Sequence, residues 1–414
     1  MTNDLAKAYV LLSFGIEEHI TGYVDAYFGP VEWRKEARDM GMRPLVNLSA
    51  DLAELAQVTT VDAGIDPTRK QYLAGQLKAM QTSLSMLQGL KLPLADETEA
   101  LYGVRPEWVD ESIYFEAHQA LDELLPPGGT LPERMAARNK ALEVPVEKVR
   151  ELLPMTVQLL RQRTRARFPL PEDESFEVVF VHDKPWGGYN YFLGGGRSRI
   201  ELNTDLPMRI TGLLNILAHE GYPGHHTELS IKEARLVEDK GWLEFSINPL
   251  FTPFSLLSEG IATRALDQLL TDEEQIVWEQ EVLFPQAGFA HLDARREHTI
   301  NHLSRRLFSV RGNASFLLHD RGASPQETSA YLMRWGLENE QEASKNVEFF
   351  THYRSYIFNY YLGRQLLDAL LDNRHDSDRW FTRLLSEPVT PALLRSWIDW
   401  HNVTAQPSGG SSRI

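Results

Sequence analysis

The stretch LAHEGYPGHHTE, residues 217–228, begins as a helix and cannot continue as one. His219 and Glu220 open the pattern H-E-x-x-H, in which two histidines one helical turn apart hold a metal ion. Pro223 stands where the second histidine belongs, and two histidines follow at 225 and 226. Upstream, Ile210, Leu213, Leu214 and Leu217 recur at three and four positions, so a helix starting near Thr204–Pro207 is expected to run into His219 and Glu220. Were that helix straight, His225 would sit about 120° round from His219, and His226 on the same face but about 10 Å further along. Neither could share an ion whose ligand atoms lie about 2.0–2.2 Å away. Pro223 has no N–H for the His219 carbonyl and drives Tyr222 away from helical angles, while Gly224 permits a sharp reversal. The helix is therefore expected to end at Tyr222, with the chain curling back to bring His225 or His226 to the ion. Spacing leaves both open. Glu220, beside a metal-bound His219, would face a water held by the ion and take its proton.

A third ligand is expected on TPFSLLSEGIATRALDQLL, residues 252–270, where Thr252 caps a helix and Pro253 begins it. Leu256, Glu259, Thr263 and Leu266 share one face, so Glu259 is a carboxylate in an apolar stripe. An unpaired charge there is costly, and a metal would supply the countercharge. Gly260 and Ala262 are small enough for a second helix to come close.

The rest of the chain sets limits. With 414 residues, 43% of them hydrophobic, it can bury a large core. A formal charge of −16 argues against a nucleic-acid or anionic-membrane partner. The absence of cysteine leaves only His, Asp and Glu to hold a metal. No window approaches the roughly 20 apolar residues of a bilayer span. The N-terminus lacks the basic-then-apolar order of a signal peptide, so a cytoplasmic location is expected. Apolar periodicity predicts a mainly α fold: one helical domain over residues 1–405, followed by a flexible tail at 406–414. The exceptions are Phe176–Val181 and Ser198–Asn203, read as an antiparallel β ribbon (insert 176–203) with a glycine-rich loop between them. The SRIELN edge could pair with an extended peptide, and the loop could close over it.

Near the C-terminus, EFFTHYRSYIFNYYLGRQLLDALL, residues 348–371, places Tyr353, Tyr356, Tyr360 and Arg364 along one stripe if it is a single helix. Such hydroxyls need partners. A tyrosine there can donate to the oxyanion of a tetrahedral intermediate, and Arg364 can receive a substrate carboxylate.

HEGYPGHH followed by SEGIA, with Tyr360 before LG, resembles the bacterial family known as domain of unknown function 885, which is similar to zincin-type metallopeptidases. The resemblance spans residues from about 110 to 375. It implies a mostly helical zincin-like body with the β ribbon over the active-site cleft, a zinc ion on His219, His225 and Glu259, Glu220 as the base and Tyr360 as the oxyanion donor. The choice of His225 over His226 comes from that resemblance. The implied activity is hydrolysis of short peptides, with a carboxypeptidase as one form of it. Glu228 stands where the family has glutamine, and Ile261 and Arg264 depart from its EGWA segment, which touches substrate preference more than the ligand set. The contrasting reading is a zincin-like peptide-binding or regulatory protein without turnover, against which an intact Glu220 counts. A di-iron helical protein would need two Glu-x-x-His pairs on facing helices, and the sequence has none.

Overall fold

The helix Pro253–Leu269 touches every part of the core. Its Phe254 joins the apolar cluster of the N-terminal helices, Thr2–Glu17, Leu45–Val61 and Pro67–Leu87. Leu256 enters a second cluster with Leu94–Tyr102, Val310–His319 and Glu340–Tyr353. Leu257, Ile261, Ala265 and Leu266 enter a third with Val146–Arg167 and Ser377–Ser386. A helix buried on nearly all sides sits at the centre of the protein, which makes the buried Glu259 within it conspicuous. The computed structural model describes residues 2–184, 186–372 and 374–405 and is mainly α, as the periodicity predicts. The tail expected from 406 lies outside the described residues.

The strands depart from expectation in their pairing. β1 (Val24–Tyr27) pairs antiparallel with β7 (Ile247–Pro249), and β2 (Glu143–Val144) with β6 (Met208–Arg209). The central sheet has the order β3 (Ser175–Val181), β5 (Arg197–Asn203), β4 (Gly188–Gly194). β3 and β5, the two segments read as an antiparallel ribbon, run parallel. The antiparallel partner of β5 is β4, which came from the supposed loop. The cause is local. Gly194, Gly195 and Gly196 all take positive φ, 80°, 62° and 64°, which only glycine adopts freely, and they close a tight β4–β5 turn. Glu233 fixes this turn by accepting the Gly195 and Gly196 N–H groups, each at 2.8 Å. The SRIELN strand is thus paired on both sides, and the edge strand next to the histidines is β4.

The C-terminal aromatic run is not one helix. It breaks into Glu340–Tyr353, a 3₁₀ turn Arg354–Ile357, and Phe358–Leu371. Arg354 has φ 46°, ψ −109°, a region side chains avoid, and the surroundings hold it there. Its guanidinium donates to the buried Glu97 at 2.9 Å and to His319 Nδ1 at 3.2 Å, and Ser355 donates to the same Glu97 at 2.7 Å. The expectation of a single stripe missed this break, because no proline or glycine marks it.

Beyond the break, Phe358–Leu371 crosses the central helix backbone to backbone. A Cβ on Gly260 would lie 2.8 Å from the Gly363 carbonyl carbon, and one on Gly363 would lie 2.4 Å from the Leu256 oxygen. Paired glycines let the helices touch and hold Tyr356 and Tyr360 beside Glu259. Gly363→Ala is expected to lower stability by at least about 2 kcal/mol through forced separation of the helices, read from urea unfolding. An unchanged midpoint would mean that the crossing relaxes freely.

Candidate metal centre

The His219 helix runs Ile210–Glu220, starting later than expected because β6 precedes it, and ending two residues earlier than Tyr222. Its last carbonyls are satisfied within the turn: Gly221 N–H donates to Leu217 O at 3.0 Å and Gly224 N–H to Ala218 O at 2.9 Å. Gly224 is pressed so closely on the helix end that a Cβ would lie 1.9 Å from the His219 oxygen. The Tyr222–Pro223 peptide is cis, and a new helix, His225–Lys232, begins at once.

The reversal brings together the residues that a straight helix keeps apart. One ligand atom from each of His219, His225 and Glu259 lies within 4.8 Å of the other two. His219 Nε2 is 3.5 Å and His225 Nε2 is 3.9 Å from Glu259 Oε2. For comparison, tetrahedral ligands about 2.1 Å from a zinc ion stand about 3.4 Å apart. Glu259 is 6% exposed; its Oε1 accepts from the Tyr356 hydroxyl at 2.7 Å, and its Oε2 is buried without a hydrogen-bond partner. The two histidine side chains are each 16% exposed, so solvent reaches the cluster.

Protonation follows from the contacts. Burial pushes His225 down, which keeps its ring neutral. Burial opposes charge on His219 as well, but the neighbouring Glu259 and Glu220 outweigh it and raise that ring. Burial alone would raise Glu259; His219, His225 and Tyr356 hold it below the ordinary range. Ser258 gives its only hydroxyl proton to Glu228 Oε2 at 2.6 Å, so its oxygen accepts from His225 Nδ1–H at 3.1 Å. Nε2 of His225 is then the free lone pair, aimed at Glu259. Such outer hydrogen bonds fix the tautomer of metal-binding histidines. Glu228 is itself anchored by Lys232.

His226 has a different task. Its Nδ1 accepts from Ser198 at 2.8 Å and its Nε2–H donates to Glu174 at 2.9 Å, leaving neither nitrogen free. Glu174 also accepts from Tyr222 and from Arg161 and Arg165. Burial would raise its carboxyl, but the hydrogen bonds from His226, Tyr222, Arg161 and Arg165 bring it down to about 2. A depressed carboxylate stabilises the fold fully above its ordinary pKa of 4.5 and ceases to do so as pH falls through about 2. Wild type is therefore expected to lose on the order of 3 kcal/mol more than Glu174→Gln between those pH values, measured by urea unfolding. Parallel pH curves would contradict the assignment.

Glu220 is buried beside this cluster; its carbonyl accepts from Asn190 of β4 at 2.7 Å, and a Cβ on Gly188 would lie 2.8 Å from its Oε1. Burial raises its carboxyl to about 7, with His219 opposing and Glu259 and Asp25 adding to the rise. Tyr360 lies within the fields of Glu259 and Glu220, and burial followed by those charges raises its hydroxyl well above the usual range, so it keeps its proton. Arg364 is not part of the site. It donates to Asp368 at 2.9 Å, to the Thr263 carbonyl at 2.7 Å and to Asp267, so its guanidinium is committed to holding helices together. One group, Asp25, was missed from sequence, and one, Tyr356, was singled out in the stripe without its role. Tyr356 orients Glu259, and Asp25 enters from β1, a short strand without a clear alternating pattern.

No family model matches the sequence, and no curated protein matches it. Among solved structures, the chain is similar to a protein from Colwellia psychrerythraea described as a lipoprotein, with a TM-score of 0.52 and 16% identity, covering 87% of this chain and 70% of that one. A protein of unknown function from Shewanella oneidensis, also described as a lipoprotein, gives a TM-score of 0.47 and 13% identity over 89% of this chain and 76% of that one. A crystal structure called BsuCP gives 0.44 and 12% over 95% and 90%. The likeness to the Colwellia psychrerythraea protein concerns the fold alone. No helix among the described residues is long and apolar enough to cross a membrane.

Proposed function

We propose that this chain is a metal-dependent peptidase of the zincin type, with a divalent ion on His219, His225 and Glu259. The observation that carries the reading is the orphaned Glu259 Oε2, buried opposite two imidazole Nε2 atoms. Two imidazoles and one carboxylate suit zinc with a position left open. The residues that converge are also those that resemble the domain of unknown function 885 family. Bound there, zinc would supply Lewis acidity toward a carbonyl oxygen and an easier loss of a proton from water.

The chain's own groups account for the rest. Glu220, buried and adjacent to His219, takes a proton from a water molecule and returns it to the leaving amine. Tyr360, protonated and packed edge-on against Tyr356, donates to the oxyanion as it forms. Tyr356 is occupied with Glu259 and acts by orienting it. β4, rather than SRIELN, is the strand beside Glu220 with an edge for an extended peptide. The test is digestion of a mixed peptide library before and after treatment with a zinc chelator. Cleavage that stops with the chelator and returns with zinc is expected. Cleavage indifferent to chelation would overturn the reading.

A further inference from the structure

With Arg364 committed elsewhere, and Arg311, the cation that acts on Tyr360, paired with Glu338, the charges gathered around Glu220 include the carboxylates of Glu259 and Asp25. Asp25 on β1 accepts from the Tyr189 hydroxyl of β4 through its carboxylate, and again through its main-chain carbonyl at 3.3 Å. The titratable groups acting on it or acted on by it are Tyr189 and Tyr191 from β4, Glu220, Glu259, and Tyr353, Tyr356 and Tyr360 from the C-terminal helices. None of these is a cation, and among the described residues Asp25 makes no ion pair. Burial raises its carboxyl to about 6, with Tyr189 opposing and Glu259 adding to the rise. A half-buried carboxylate whose described partner is a neutral hydroxyl is stabilised when something positive arrives.

The neighbouring rings favour the same visitor. Trp186 stacks on Tyr189 with centroids 5.4 Å apart, and Tyr189 lies 4.4 Å from Tyr191. Lys184 lies over the Trp186 ring at 5.9 Å and Arg199 over Tyr191 at 4.9 Å, so among the described residues the Tyr189 ring is the one of the three with no cation over it. Aromatic faces attract ammonium groups. Asp25 feels the charge of Glu259 at this site, and Glu220 feels the charge of both. A charge bound at Asp25 therefore sits close to the bond on which Glu220 acts.

We propose that Asp25, with the Tyr189 ring that it holds, receives a primary ammonium group of the substrate, so that cleavage occurs near a free peptide N-terminus. This rests on the peptidase reading and directs it away from carboxypeptidase specificity. A lysine side chain offers the same chemistry, so the test uses three peptides of one core sequence: free N-terminus, N-acetylated, and N-acetylated with one lysine. Wild type is expected to favour the free N-terminus over the acetylated peptide by about 100-fold in kcat/KM. Asp25→Asn is expected to shrink that ratio to within about threefold through KM, with bound zinc unchanged. Recovery of cleavage by the lysine peptide alone would make the side chain the source of the ammonium group. Equal cleavage of free and acetylated peptides by wild type overturns the proposal and leaves the peptidase reading intact, as does an undiminished ratio in Asp25→Asn. Calorimetric binding of the same peptides to zinc-loaded Glu220→Gln separates the two ideas. Preference for the free amine there, with no hydrolysis by wild type, would sustain Asp25 and remove the peptidase reading; no preference would remove the Asp25 subsite.

Discussion

Glu220→Gln is expected to lower kcat/KM for peptide cleavage by about a hundred- to ten-thousandfold, the range for losing a general base, while the protein still binds one zinc per chain. Glutamine keeps the shape of the side chain and cannot take a proton. Glu220 is buried but is no member of the ligand set, since the atoms that converge belong to His219, His225 and Glu259. The base works only when ionised, and burial holds its carboxyl up to about 7. A divalent ion on His219 and Glu259 would draw that carboxyl back down, so wild-type kcat/KM is also expected to decline on the acidic side of pH 7, where the proton occupies the base. Paired kinetics and metal analysis decide the matter. Lost zinc would make Glu220 a ligand, and retained activity would place the base elsewhere.

The second large effect separates adjacent histidines. His225→Ala is expected to weaken zinc binding well beyond the roughly 10- to 100-fold that loss of a mere outer-shell partner costs. His226→Ala is expected to stay within that outer-shell range, while losing about 2–3 kcal/mol of folding stability because Glu174 and Ser198 are left with unmet hydrogen bonds in the interior. The structure behind this contrast is plain: His225 presents a free Nε2 to Glu259, and His226, 0% exposed, has both nitrogens engaged by Ser198 and Glu174. Equilibrium zinc titration and urea unfolding on both variants give four numbers. The reverse pattern would exchange the roles of the two residues.

Much of the site was legible because its chemistry is local in sequence. Pro223 and Gly224 announce a reversal, and the apolar stripe through Leu256 and Leu266 makes Glu259 stand out as a buried charge. What could not be read depends on distant partners. The spacing of His225 and His226 could not separate them, since the answer lies in Ser258 on one side and Ser198 with Glu174 on the other. Arg364 looked like a substrate contact from its place in a stripe, yet Asp267 and Asp368 claim it. The segment GYNYFLG looked like a loop because glycines flank it. In the fold those glycines shape the turn, and the residues between them form the edge strand. Helix against strand was legible by period, whereas the pairing was not, because the antiparallel partner of β5 is the segment that reads as a loop.

Crystals equilibrated with zinc and measured at the zinc absorption edge bear most directly on all of this. A single anomalous peak is predicted, about 2.0–2.2 Å from His219 Nε2, His225 Nε2 and Glu259 Oε2 together. A peak bound elsewhere, or none at those three atoms at saturating zinc, would contradict the account.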